Sequence, residues 1–273
     1  MEAGAGGRSR GRPRASHRDV VLVEVDDGVA VITLNRPEAR NALNRAVRSR
    51  LPKVITELEH DDEVDVMILT GADPAFSAGI DLKELGSGEA TGTRDDLGST
   101  RGALPPRNKL LIGAVNGVAV TGGFEIALGC DFLVASERAR FADTHARVGI
   151  MPGWGLTVLL PQRVGVARAR EMSVTGNFVD AQLAYDWGLV NHVVAHEDLL
   201  PFCRQLAADS RTIDQSAVRR MLQTYDEASL GTLDEAWNIE ERVSRAWQGD
   251  GFDPAEVERK RAAIIERGRA QTS

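Results

Sequence analysis

Residues 116–125 read Asn-Gly-Val-Ala-Val-Thr-Gly-Gly-Phe-Glu. An apolar strand end runs into a glycine pair, and a helical segment follows with a carboxylate in its first turn. Glycine lets backbone approach a ligand closely, and the first N–H groups of a helix have no partner within it. Such groups suit a developing negative charge. Residues 75–84, AFSAGIDLKE, repeat the arrangement with Gly79 at a strand end and a helix expected behind it. Either passage alone can equally be an ordinary tight turn. Neither is a phosphate loop, since no lysine follows Gly122-Gly123, and G-x-G-x-x-G is absent from both.

Outward from these passages, strands and helices interleave. Residues 19–34, DVVLVEVDDGVAVITL, alternate apolar and polar residues around Asp27-Gly28, which predicts a hairpin. A helical pattern runs from about Arg40 to His60, and Val64 to Leu69 reads as a buried strand ending at Gly71. Residues 86–104 are rich in Gly, Ser, Thr and Asp and are expected to form a mobile loop. Lys109 to Val120 reads as one buried strand interrupted by glycines, and Gly122 to Val134 as a helix. After the Gly/Pro-rich stretch to Gly155, helices are expected at about 156–163 and 180–187, and a last strand at Leu189–Val194. From about Leu199 the pattern is helical alone. This order predicts an α/β domain at 19–198 followed by a helical region at 199–273.

The 273 residues allow one large domain or two smaller ones with a substantial core. A hydrophobic share of 42% and a charged share of 27% are those of an ordinary globular chain. No apolar run approaches the ~20 residues that a membrane helix needs. A net charge of −7 argues against general nucleic-acid binding. The Arg- and Gly-rich segment 1–18 has almost nothing apolar and is expected to be a disordered extension. Cys130 and Cys203 have no metal-ligand spacing and read as buried thiols, with the cytoplasm the default location. His17, His60, His192 and His196 form no Ser-His-Asp or zinc pattern.

The two glycine passages, taken together, resemble the crotonase (enoyl-CoA hydratase/isomerase) family. The resemblance rests on Phe76-x-x-Gly79-x-Asp81-Leu82 and Asn116-Gly117-x-Ala119-x-x-Gly122-Gly123-x-Glu125. It extends to Asn35-Arg36-Pro37, Asn41-Ala42-Leu43, Cys130-Asp131, Pro152-Gly153-x-Gly155, and Ala184 with Gly188-Leu189-Val190. It implies a spiral of ββα units with a C-terminal helical region that supports trimers, often paired into hexamers. Leu222, Tyr225, Leu230, Leu233 and Trp237 are candidates for packing across subunits.

The resemblance also implies a site. The thioester oxygen of an acyl-CoA would accept backbone N–H bonds from Ile80 and Gly122, and CoA would lie along Ala42, Ala78, Asp81 and Leu82. Lys83 suits the CoA phosphates, or is a solvated helix residue. Glu38 stands where the family often has a basic residue. Glu125 matches one of the two acids of typical hydratases, although a carboxylate in a first helical turn is also favoured by the macrodipole. His145 falls where those hydratases have the second glutamate, either as a proton shuttle or as a hydrogen-bonded bystander. Asp143 would take that place with a register shift of two residues. Trp154 stands where the family commonly has a small residue, which implies a narrowed acyl pocket.

The function implied is hydration of a trans-2-enoyl-CoA. The alternatives are double-bond isomerisation, another reaction of the family on acyl-CoA, or acyl-CoA binding without turnover. No metal or redox cofactor is implied, because CoA arrives with the substrate.

Overall fold

The computed structural model describes residues 19–81, 83–84 and 102–229, with single positions 231, 232, 235, 238 and 242. The expectations for segment 1–18, Leu82, residues 86–101, Leu230, Leu233 and Trp237 lie outside the described residues. Contacts divide the chain into two units, Met1–Arg219 and Arg220–Ser273.

The first unit is built on two sheets. Strands β1 (Val21–Asp26), β2 (Val29–Leu34), β3 (Val66–Gly71), β5 (Leu110–Val115), β7 (Phe132–Ser136) and β10 (His192–Val194) form the larger one, in the order β1-β2-β3-β5-β7-β10. All neighbours are parallel except the β1–β2 hairpin. That hairpin turns through Asp27 and Gly28, both at positive φ (43° and 68°), as its twist requires. The central strands read as unbroken apolar runs because both faces of a parallel sheet are covered; every residue of β3 and β5 is buried.

The smaller sheet is made of β4 (Ala75–Ser77), β6 (Val118–Val120), β8 (Arg140–Ala142) and β9 (Val179–Asp180), in that order. A strand of the large sheet followed by one of the small sheet and then a helix is the recurring step. Between β5 and β6 the chain crosses from sheet to sheet at Asn116-Gly117, so Lys109–Val120 is two strands rather than one. The crossing is tight: a Cβ on Gly117 would lie 2.3 Å from the carbonyl oxygen of Pro74. The Asn116 amide spans the gap, donating to Asp73 Oδ1 at 2.9 Å and accepting from the Gly71 N–H at 3.3 Å.

Helix α1 (Arg45–Glu59) starts later than the expected Arg40, because Asn44 caps it by accepting the Val47 N–H at 3.0 Å. Helix α2 (Gly122–Leu128) ends well before Val134. Asp131 accepts the Leu111 N–H at 2.7 Å and so starts the next strand, and residues 132–136 pair with β5 and β10. Helix α3 (Leu156–Val164), an unforeseen α4 (Val166–Thr175) and α5 (Ala181–Asp186) follow, then α6 (Leu199–Arg211) and α7 (Gln215–Ser229). Helix α6 packs on β3, β5 and β7, so the first unit continues past Asp198 to Arg219. Ala103 and Leu104, expected in a mobile loop, are buried in the core. In the second unit Leu222 is half-buried and Tyr225 exposed, while Arg220 and Arg242 bridge Glu227.

The turn before α1 is held by buried polar groups. Asn41, at φ 56°, donates to the carbonyls of Ala72 (2.7 Å) and Ala75 (2.6 Å) and accepts the Arg36 N–H at 2.9 Å. Asn41→Ala deprives two carbonyls of their donor, at roughly 1–3 kcal/mol for each buried one, and puts a Cβ-bearing residue without a polar side chain at positive φ, at roughly 1–2 kcal/mol. A loss of about 3 kcal/mol is expected in urea unfolding; a change below about 1 kcal/mol would show that the amide holds nothing together.

Candidate active site

The two glycine passages meet. Gly79 has φ 79°, and a Cβ on it would lie 2.6 Å from the Val120 carbonyl oxygen and 3.3 Å from the Gly122 nitrogen. Only a glycine allows that approach. Leu43 bridges this strand end from the other side, donating to the Gly79 carbonyl at 2.8 Å and accepting the Asp81 N–H at 3.4 Å. Because the bridge uses the groups of Gly79 and Asp81, the N–H of Ile80 between them points away from Leu43.

Gly122 is the first residue of α2, where no earlier carbonyl of the helix can accept its N–H. Thr121 does not cap the helix; its hydroxyl instead meets that of Thr144 at 2.5 Å. Thr121 sits at φ 53° and ψ −123°, a conformation that is strained for a β-branched residue. The structure therefore holds open a helix N-terminus against a second strand end. Trp154 and Leu43 close in on the Cα of Gly122: a Cβ there would lie 2.8 Å from the indole Cζ3 and 3.3 Å from Leu43 Cδ1.

Glu125, one turn into α2, is 2% exposed. Its Oε1 accepts the N–H of Trp154 at 2.8 Å and of Leu156, the first residue of α3, at 3.3 Å. Its Oε2 lies 3.4 Å from His145 Nε2. His145 is itself 3% exposed, and its Nδ1 is 2.6 Å from Asp143 Oδ1, which also accepts the His145 backbone N–H at 3.1 Å. Burial pulls the imidazole down, but the hydrogen bonds and charges of Asp143 and Glu125 outweigh it and raise its pKa to about 9. Burial pushes Asp143 up, yet His145 and the hydroxyl of Ser173 on α4 hold it below the usual carboxylate range. The result is a buried carboxylate–imidazole–carboxylate chain that can hold and move a proton.

The structure thus brings together Ile80, Gly122, Glu125, His145 and Trp154, and gives His145 and Asp143 joint places where the sequence offered a choice. Ala42 is buried, and its carbonyl accepts Arg36 Nη1 at 2.6 Å; the Ala78 N–H donates to Arg40 at 2.9 Å. Asp81 pairs with Arg36 at 3.0 Å and caps the Lys83 N–H at 3.1 Å. Burial pushes Asp81 up, but Arg36 and the N–H groups of Lys83 and Glu84 keep it below its ordinary value. Lys83 is exposed. Burial pushes the thiols of Cys130 and Cys203 up to about 12, so neither is a nucleophile. Among the described residues no His/Cys/Asp/Glu cluster could hold a metal ion.

Sequence reading missed a Ser136–His196–Asp73 chain, with contacts of 3.0 and 3.1 Å. Its serine is fully buried and also accepts the Arg138 N–H, which makes it a tie between strand ends. Only the fold brings these residues together, and no sequence signal marked them.

A two-sheet spiral of this connectivity, with a carboxylate in the helical turn behind the glycine pair, is the layout of the crotonase superfamily. The chain belongs to its enoyl-CoA hydratase/isomerase family, whose model matches residues 24–267. It is 36% identical over 246 residues to "Probable enoyl-CoA hydratase 1, peroxisomal" of Arabidopsis thaliana, covering 90% of this chain and 92% of that one. It is 35% identical over 224 residues to the crotonyl-CoA hydratase of Syntrophomonas wolfei, covering 81% and 86%. The crystal structure of an enoyl-CoA hydratase from Mycobacterium smegmatis superimposes with a TM-score of 0.71 at 49% identity, covering 84% and 98%. Among the described residues no helix is long and apolar enough to cross a membrane.

The imidazole carries a pH signature. Its pKa rises from an ordinary 6.5 to about 9 in the folded chain, so the folded state holds the proton more tightly than the unfolded one. The stability this contributes is complete below about pH 6.5 and is lost as the pH rises through about 9. Between those limits the Tm of the wild type should fall more than that of His145→Gln; parallel declines would show that His145 is not charged in the fold.

Proposed function

We propose that this chain adds water to trans-2-enoyl-CoA thioesters, as an enoyl-CoA hydratase. The observation that carries the reading is the Glu125–His145 contact of 3.4 Å, set directly behind the open N-terminus of α2. In this reading the N–H groups of Ile80 and Gly122 bind the thioester oxygen and stabilise the enolate that forms when hydroxide adds to the β-carbon. One such donor contributes roughly 3 kcal/mol. Glu125 takes the proton from the attacking water, and His145 supplies the proton that reaches the α-carbon on the same face. The relatives' names and the family membership support this reading.

CoA would run along the backbone of Ala42, Ala78, Asp81 and Leu82, with Lys83 at its phosphates. The Arg36–Asp81 pair supports this, because together with the Arg36 bond to the Ala42 carbonyl it holds Ala42 and Asp81 at one edge. The reading uses no metal or redox group. A cytoplasmic location is part of it, in keeping with two unpaired buried cysteines. Trp154, pressed on Gly122, would restrict the acyl group to short chains.

Loss of the conjugated thioester absorbance with crotonyl-CoA and longer trans-2-enoyl-CoAs tests the reading. Turnover is expected on crotonyl-CoA with 3-hydroxyacyl-CoA as product, and a loss of about 10²–10⁴-fold in Glu125→Gln. Trp154→Ala should extend turnover to longer chains. A shifted double bond would assign the isomerase reaction instead, and binding without conversion would leave an acyl-CoA-binding protein.

The same reading includes a homotrimer or hexamer. Met151, Val158, Val174 and Phe178 of the first unit are 83%, 60%, 81% and 57% exposed, and contact between copies would cover such apolar side chains. Light scattering on a sizing column should return three or six chains, and a clean monomer would reject the assembly.

A further inference from the structure

We propose that Asp143 is a positioning residue, which holds His145 with both ring nitrogens protonated and its Nε2–H facing Glu125, so that an imidazolium serves where a second carboxylic acid would otherwise be needed. This rests on the hydratase reading of the same site.

The geometry is specific. Asp143 Oδ1 accepts from both the ring Nδ1 and the backbone N–H of His145, at 2.6 and 3.1 Å, which fixes the ring plane from one side. Glu125 Oε2 faces Nε2 from the other side at 3.4 Å. A neutral imidazole carries one N–H and would leave one of these two carboxylates facing a lone pair. The groups packed around the ring agree. Helix α2 presents Glu125, the end of β8 presents Asp143, and α4 presents the Ser173 hydroxyl to Asp143. The hydrogen bonds and charges that act most strongly on the ring are those of these two carboxylates. Both favour the cation, which is why the imidazole keeps its proton to about pH 9 despite burial.

The proton inventory then closes without a third group. Glu125 accepts a proton from water as its oxygen bonds to the β-carbon, and the π electrons move to the thioester oxygen as an enolate. The Nε2–H of His145 passes to the α-carbon as that enolate collapses. Glu125 is left protonated and His145 neutral. Transfer of the Glu125 proton to Nε2 across their contact restores both, and the net change is one water added to the substrate.

The test compares wild type with Asp143→Asn, by the pH profile of kcat on crotonyl-CoA and by NMR titration of ¹³C-labelled histidine rings, with His145 assigned through His145→Gln. The wild type is expected to keep activity and ring charge to about pH 9. In Asp143→Asn both limbs should move at least about one unit lower, costing about tenfold in kcat above them, with KM little changed. A merely structural Asp143 would lower the Tm and the amount of active enzyme but leave both limbs in place, and that result overturns the proposal. So does a wild-type ring that titrates at its ordinary 6.5. If Asp143→Asn does not fold, the wild type decides. A far-downfield Nδ1 proton of His145, persisting until the ring titrates, supports the Asp143 bond, and its absence refutes it. A wild type that hydrates no enoyl-CoA defeats the hydratase reading, while the ring titration still judges the part given to Asp143.

Discussion

The site depends on keeping one carboxylate out of water. Burying a charged group costs many kcal/mol unless donors replace its hydration, and Glu125 is 2% exposed. Its donors come from three places: the N–H of Trp154, the N–H that opens α3, and the ring of His145. Each is thereby fixed. The position of the Trp154 loop over Gly122, the start of α3 and the orientation of the imidazole all follow from satisfying one side chain. Helix α3 contributes as well, because the positive end of its dipole favours the negative charge it faces.

Around that carboxylate the frame is backbone held at short range by glycine and by buried polar side chains. Gly79 can lie against Gly122 because Gly79 carries no Cβ, and Gly123 lies so close to Ser77 that a Cβ there would fall 2.5 Å from its carbonyl oxygen. Close approach alone would leave the strand ends free to slide. Asn41 and Arg36 prevent this by tying the turn before α1 to residues 72, 75, 42 and 81. Motif residues that read as sequence markers, Asn35-Arg36-Pro37 and Asn41-Ala42-Leu43, thus have a mechanical reason to be there.

The features legible in the sequence were those that local chemistry determines. The Asp27-Gly28 hairpin, the apolar run of β3 and the glycine pair opening α2 follow from turn geometry, burial and the lack of a Cβ. What could not be read were features set by long-range pairing. Strands of three residues such as β4, β6 and β8 carry too few side chains for a period of two to show. Residues 132–136 have the apolar content of a helix end as much as of a strand, and only the neighbouring β5 and β10 decide between them. At the site, Glu125 could be placed from its spacing after the glycines. The alternative between His145 and Asp143 could not be resolved, because it assumed that one of them would serve alone. A spacing of two along an irregular segment lets both reach one another, and this depends on backbone angles that no periodicity encodes.

A histidine between two carboxylates also changes what the site can hold at neutral pH. Two carboxyl groups placed face to face share a proton, because like charges at such range cannot both ionise. An imidazolium between Glu125 and Asp143 separates the two carboxyl groups, and its bond to Asp143 holds that carboxyl below the usual carboxylate range. In the proposed reaction the base is then ready before substrate arrives, and the acid is a separate group with its own proton, a division set by environment rather than by residue type. The developing enolate adds a further negative charge nearby. In the proposed reaction the compensations are the imidazolium and the N–H dipoles of Ile80 and Gly122, in place before the charge appears. Asp143 weakens the imidazolium as an acid while securing its presence, so the geometry trades driving force for certainty of protonation.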